Sequence, residues 1–329
     1  MLRENVLGEL RKGSILPTLG VLGLMGIASG LRTTRRSKSF RRAIPGYVSV
    51  ETATGRLEAN VVRGRDADTS SPLVVFENGL GTPIETWQWV VENLPTVNCV
   101  RYNRAGYGES SRGIDVLAGY RYAMSAFPHA RAVVYVGHSI GALAIHDVLG
   151  RLESADRRPD HIVLVDGTDP VLFRDMACIP ERRGKVTQSL ELEILSSLFD
   201  NTKRSRAFED DLDYPKSIHA AHLAFSSCLA SQLQARREFL RFVAAPDFAP
   251  LLVPVSVVAA DSGIEGAEGH AAAQRALADR VNATTLTVVP DSNHLSVIGF
   301  RSRAREVAEH VLTVAERSSL HPGRAVGIG

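Results

Sequence analysis

From about residue 43 the chain alternates short apolar runs, rich in β-branched residues, with stretches of helical periodicity. Eight runs read as strands: Gly46–Val50, Leu57–Arg63, Leu73–Glu77, Cys99–Tyr102, Ala132–Val136, Ile162–Val165, Val253–Ala259 and Thr284–Val289. The last six show little polar alternation, as expected of parallel strands buried on both faces. Helices are expected after several of them, over Trp87–Leu94, Ala142–Arg151, Gly269–Val281 and Ser302–Glu316. This alternation predicts an α/β fold. Between Thr168 and about Pro250 the strand signals stop, while Leu190, Ile194, Leu195, Leu198 and Phe199 fall at helical spacing, as do apolar residues around Ala221–Phe242. The expected organisation is therefore a core over 43–167 and 251–317, a helical insertion over 168–250 covering the sheet, and a frayed tail over 318–329.

The N-terminal 42 residues follow another pattern. Residues 15–31, ILPTLGVLGLMGIASGL, carry no charge, and the basic cluster RTTRRSKSFRR follows at 32–42. As a helix this run would span roughly 26 Å, slightly short of a hydrocarbon core of about 30 Å. Six basic residues follow the run and three precede it. That balance favours an uncleaved membrane anchor with the folded body on the cytoplasmic side. A signal peptide cleaved near Ala28-Ser29-Gly30 and a helix that is merely packed or lies in the interface are the alternatives. Pro17 and four glycines weaken every helical reading of the run.

Composition narrows the field. With 44% hydrophobic and 22% charged residues among 329, the chain is neither disordered nor fibrous. No period of 20 to 50 residues marks a solenoid or propeller. Residues 1–42 hold nine Lys/Arg against two acids, a local +7 that leaves −5 for the rest of a chain whose net charge is +2. A mildly acidic body offers no basic face for nucleic acid. Cys99, Cys178 and Cys228 are too few and too widely spaced for a disulfide framework or a zinc site, and read as small buried hydrophobes.

The strongest local signal is Gly137-His138-Ser139-Ile140-Gly141, directly after the strand AVVYV and opening a helical stretch. A serine on so tight a strand-to-helix turn crowds the neighbouring backbone, so the residues two before and two after it lack a β-carbon. The turn exposes the hydroxyl at a helix N-terminus, where backbone N–H groups can meet an oxyanion. A base is then needed. His294, in Pro290-Asp291-Ser292-Asn293-His294 after the strand TTLTVV, lies at a strand's carboxyl end, where open α/β sheets place their sites. Glu77-Asn78-Gly79-Leu80-Gly81, after the strand LVVFE, supplies a glycine-rich loop whose Leu80 N–H, with that of Ile140, is the candidate oxyanion hole. His138, beside the nucleophile, reads as a packing residue.

Four motifs in this order, ENGLG at 77–81, Tyr102-Asn103-Arg104-Ala105-Gly106-Tyr107-Gly108-Glu109-Ser110, GHSIG at 137–141 and SNH at 292–294, make the sequence resemble the α/β-hydrolase superfamily, in its cap-bearing esterase and peptidase-like branch. The resemblance covers residues 46–316. It implies a mostly parallel eight-stranded sheet, a helical cap inserted after the sixth strand, and a triad of Ser139, an acid and His294. The family usually carries the acid after the seventh strand, which points to Asp261. Glu265 in the same loop and Asp166 after the sixth strand, the position some members use, are the rivals. Two positions depart from the family's pattern, Asn78 where histidine is usual and Asn103 where aspartate is usual. With serine as nucleophile, the chemistry of haloalkane dehalogenases and epoxide hydrolases is not carried over.

The expected activity is a serine hydrolase of carboxylesterase or lipase type, cleaving an ester or amide through an acyl-enzyme. No cofactor and no metal is called for, and the partner is a small-molecule substrate, an apolar ester in particular. A non-catalytic binding protein on the same fold, and a cofactor-free peroxidase or acyltransferase using the same residues, are the competing functions.

Overall fold

The computed structural model describes residues 44–198, 212–244, 248–262 and 267–320, with scattered residues between 28 and 42. Eight strands form one sheet: β1 (Tyr47–Thr52), β2 (Gly55–Arg63), β3 (Leu73–Glu77), β4 (Asn98–Tyr102), β5 (Val133–His138), β6 (His161–Val165), β7 (Val255–Ala260) and β8 (Thr285–Val289). Their order is β1-β2-β4-β3-β5-β6-β7-β8. β2 runs antiparallel to both its neighbours and every other pairing is parallel. This is the mostly parallel eight-stranded α/β-hydrolase arrangement that the motifs imply, and all eight expected strands are present. The central strands β3, β4, β5 and β7 are buried along their whole length, which is why their sequences do not alternate.

Helices cover both faces. A 3-10 turn, Ile84–Trp87, runs into α1 (Gln88–Glu92), and α2 (Ala118–Ala126) and α3 (Gly141–Arg151) follow β4 and β5. One core layer packs α1 and the C-terminal helix on Val74, Phe76, Val134 and Val136, and the other packs α2 and α3 on Val75, Val100, Val133 and Tyr135.

Between β6 and β7 come α4 (Pro170–Cys178), α5 (Pro180–Leu198), α6 (Lys216–Ser226) and α7 (Leu229–Ala244). Asp169 caps α4, its carboxylate accepting the Val171 and Leu172 N–H groups at 2.7 and 3.2 Å, with Pro170 in the first turn where no donor is needed. This helical insertion sits on the start of α3: Phe173, Ala177, Phe239 and Phe242 pack on Ile140, Leu143 and Ala144. After β7 come α8 (Ala267–Arg280), the short α9 (Ser296–Gly299) and α10 (Arg301–Leu320).

The apolar run 15–31 lies outside the described residues except for Ala28 and Leu31, and so do Glu265 and residues 321–329. Among the described residues no helix is long and apolar enough to cross a membrane.

Candidate active site

Parallel pairing sets the level at which the strands release their side chains. His138 at the end of β5 is in register with Val165 at the end of β6, so Ser139 and Asp166 leave the sheet side by side. Both adopt positive φ, 57° and 47°, a conformation rare outside glycine that turns each side chain up from the strand end. The Ser139 N–H donates to the Val165 carbonyl at 3.2 Å, tying the two turns together. Close approach explains the flanking glycine: a β-carbon on Gly141 would lie 2.8 Å from the Glu77 carbonyl oxygen.

His294 arrives from the loop after β8. Asn293 shapes that loop, its side-chain oxygen accepting the Leu295 and Ser296 N–H groups at 3.0 and 2.9 Å at the start of α9. The His294 backbone carbonyl accepts a bond from His138 Nε2–H at 2.8 Å. Burial, with repulsion from His294, pushes His138 down to about 3, so it is neutral and holds its proton on Nε2. His138 is thus a packing residue with the added task of fixing the loop.

The resulting geometry is a continuous chain of hydrogen bonds. Ser139 Oγ lies 2.9 Å from His294 Nε2, and His294 Nδ1–H donates to Asp166 Oδ2 at 2.5 Å. Asp166 is buried, and its other oxygen accepts the Ala260 N–H at 2.9 Å and His270 Nε2–H at 2.7 Å. Burial alone would raise this carboxyl, but the bonds from His270 and His294 prevail and hold it well below the usual range. Asp166 is an anion acting only as an acceptor, which settles which His294 nitrogen carries the proton.

Asp261, the acid expected from the sequence, is not the carboxylate that His294 meets in the structure. β7 continues past the level at which β6 ends, since Val165 pairs with Val258 and Ala259 and Ala260 still follow. Asp261 is carried beyond the site and its side chain is exposed. What it offers the histidine loop is its backbone N–H, donated to Ser292 Oγ at 3.2 Å.

Leu80 lies in the loop after β3 and Ile140 caps α3. Among the described residues neither amide donates to a protein acceptor, so both are free to bind an oxygen. The loop abuts the serine: a β-carbon on Gly79 would lie 3.4 Å from Ser139 Cβ. The two departures from the usual motifs make structural bonds, Asn78 Nδ2 to the Tyr102 carbonyl at 3.0 Å and Asn103 Nδ2 to Glu58 Oε2 at 3.1 Å. Sequence reasoning missed His270, which carries no motif and reaches Asp166 only because α8 packs back over the end of β6. Among the described residues no group of three or more His, Cys, Asp or Glu is placed to hold a metal ion.

A cavity of about 260 Å³ opens between the sheet and the helical insertion, walled by Leu80, Leu190, His222, Leu223, Gln232 and Leu295. Leu80 belongs to the candidate oxyanion loop and Leu295 directly follows His294, so the cavity reaches the loops that carry the site. His222 is buried, and among the described residues neither of its ring nitrogens has a hydrogen-bond partner.

The chain belongs to the alpha/beta hydrolase family, whose model matches residues 74–310. No curated protein matches it. Solved structures share its fold. A Cif epoxide hydrolase from Acinetobacter nosocomialis superposes with a TM-score of 0.62 at 14% identity, over 87% of this chain and 96% of that one. A carboxylesterase structure from the thaumarchaeon Nitrososphaera gargenis gives 0.55 at 11% identity, over 82% and 100%. A hydrolase from Pseudomonas aeruginosa gives 0.51 at 16% identity, over 84% and 98%. At these identities the likeness is one of fold.

Proposed function

We propose that the protein is a serine esterase working through an acyl-enzyme, with Ser139, His294 and Asp166 as its triad. The observation that carries this reading is the unbroken chain from Ser139 Oγ through the imidazole to a buried, ionised Asp166. In the acylation step Ser139 Oγ attacks the substrate carbonyl carbon while its proton passes to His294 Nε2. Asp166 stabilises the imidazolium and holds its Nδ1–H in place. The carbonyl oxygen becomes an anion received by the Leu80 and Ile140 N–H groups, each worth about 2.7–4 kcal/mol in the transition state. Collapse of the tetrahedral intermediate expels the alcohol, which takes the proton from His294. Water then repeats the sequence to release the acid.

The helical insertion acts as a cap, and the cavity beneath it takes the acyl or alkyl part of the substrate. Its leucines favour an apolar group of moderate size. The apolar run 15–31 with its basic flank supports membrane attachment. Resistance of the full-length protein to high-salt and carbonate washing of membranes tests that part.

A fluorophosphonate probe should label the wild-type protein at Ser139 and leave Ser139→Ala unlabelled, with turnover of p-nitrophenyl esters of graded chain length lowered about a millionfold in the variant. An unlabelled wild type, or a Ser139→Ala protein that still turns over, would remove the reading.

A further inference from the structure

Behind the candidate oxyanion loop lies a buried charged cluster that the proposed chemistry does not use. Arg104 follows β4, Glu77 ends β3, and Glu238 comes from α7 of the helical insertion. Their side chains are 8%, 0% and 4% exposed. Arg104 Nη1 donates to Glu77 Oε2 at 3.0 Å and to the Asn78 carbonyl at 2.6 Å. Its Nη2 donates to the Gly79 carbonyl at 3.2 Å and to Glu238 Oε2 at 2.8 Å, and its Nε donates to Glu238 Oε1 at 2.6 Å. The Tyr107 hydroxyl donates to the same Glu238 Oε2 at 2.9 Å while accepting the Gly81 N–H at 3.2 Å.

Planarity of the peptide group turns these contacts into a statement about the site. In a trans peptide the N–H points opposite to the carbonyl it is bonded to. Holding the Gly79 carbonyl from behind therefore fixes the direction in which the Leu80 N–H points, and holding the Asn78 carbonyl does the same for Gly79. The Gly81 N–H is caught on the rear side through Tyr107. Three successive peptide groups of the loop are gripped by two side chains, and both close on one carboxylate supplied by the insertion. A purely structural ion pair needs one carboxylate for one guanidinium. Here two carboxylates meet it, and its remaining donors go to loop carbonyls rather than to solvent.

We propose that Arg104 is the positioning residue of the oxyanion loop and that Glu238 is the catch through which the seated helical insertion locks it. The inference rests on the assignment of the Leu80 N–H as an oxyanion donor. With the insertion in place the fork of Arg104 is held at both ends and the Leu80 amide is aimed. With the catch severed, Glu77 is the only carboxylate left to hold the guanidinium against the loop carbonyls and the loop slackens, while Ser139, His294 and Asp166 are untouched.

The test uses full-length Glu238→Gln, Arg104→Lys and Tyr107→Phe. Three quantities are read: kcat and KM on p-nitrophenyl butyrate, inhibition by a trifluoromethyl ketone whose adduct places an oxyanion in the hole, and amide hydrogen exchange over residues 77–82. We expect kcat to fall about tenfold in Glu238→Gln and about a hundredfold in Arg104→Lys, since loss of a whole donor costs about 10²–10³. KM should stay within threefold, ketone affinity should fall in step with kcat, and exchange over 77–82 should quicken in all three variants. If Arg104→Lys does not fold, Glu238→Gln carries the test, because Arg104 then keeps Glu77 as its partner. Unchanged exchange overturns the proposal, and so does a loss confined to KM, which would mark Glu238 as mere packing under the insertion. A wild-type protein that neither turns over nor reacts with a fluorophosphonate would sink the esterase reading. Exchange over 77–82 would still decide the catch.

Discussion

Asp166 takes three donors on two oxygens, the Ala260 N–H, His270 and His294, and its own side chain is fully buried. A carboxylate so supplied stays ionised and holds the imidazole by its Nδ1–H. Asp166→Asn should therefore fold, yet lose about ten-thousandfold in kcat, because the amide presents the wrong group to Nδ1. Asp261→Asn should stay within threefold of wild type, because its carboxylate faces solvent. Steady-state kinetics of the two variants side by side check both, and the reverse result would restore Asp261 to the triad. Ser139 and His294 were legible in the chain because each is announced by its local setting, a glycine-flanked turn after one strand and a loop after another. The acid was not. Asp166 and Asp261 both follow short β-branched strands, and what separates them is a difference of two residues in where β6 and β7 end, a property of pairing register that no local pattern records. Arg104 stood inside a recognised motif, but its partner Glu238 is 134 residues away.

The central strands were legible as elements because their burial on both faces writes continuous apolar runs, and β8 was legible as an apolar run although as an edge strand it is mostly exposed, whereas α2 was not. The sequence AGYRYAMSA carries a glycine in its first turn, which ordinarily speaks against a helix. That glycine exists for packing: a β-carbon on Gly119 would lie 2.2 Å from the Tyr102 ring, so α2 sits flush on the end of β4 only without one. Gly119→Ala should accordingly destabilise the fold by about 1–3 kcal/mol despite alanine's better helix propensity, since overpacking outweighs the gain of about 1 kcal/mol. Urea unfolding measures this, and a stabilised variant would show that α2 has room to shift. The insertion illustrates the converse. Its helical spacing was plain, but the apolar stripe did not reveal which residues face the sheet. Leu190 packs towards Phe173 and Phe239, while Leu195 on the same helix is 53% exposed.

At the scale of the whole molecule the fold shelters several histidines in their neutral form, and this makes its stability depend on pH. Burial pushes His138 down to about 3, and His161 and His222 down to about 4 each. In the unfolded chain each would titrate near 6.5. A base whose pKa is depressed by folding binds its proton more readily when unfolded, so between about pH 4 and 6.5 these three histidines together hold up to roughly three more protons in the unfolded chain, burial of His146 and His310 acts in the same direction, and stability rises with pH. As pH falls through that window the folded state loses stability. Asp166 works in the same direction lower down: its carboxyl is depressed in the fold, so its contribution is full above about pH 4, the unfolded value, and is lost as pH falls further. Calorimetric melting should show a midpoint nearly constant from pH 8 to 7 and falling steadily from pH 6.5 towards 4.5, with a net uptake of protons on unfolding in that range. His222→Leu should shallow the slope, because among the described residues the His222 ring nitrogens have no hydrogen-bond partner to lose and only the titration is removed. A midpoint that stays flat from pH 7 to 5 would mean that these histidines are protonated in the fold. In that case His138, bonded to the His294 carbonyl, would set a positive charge against the base it positions.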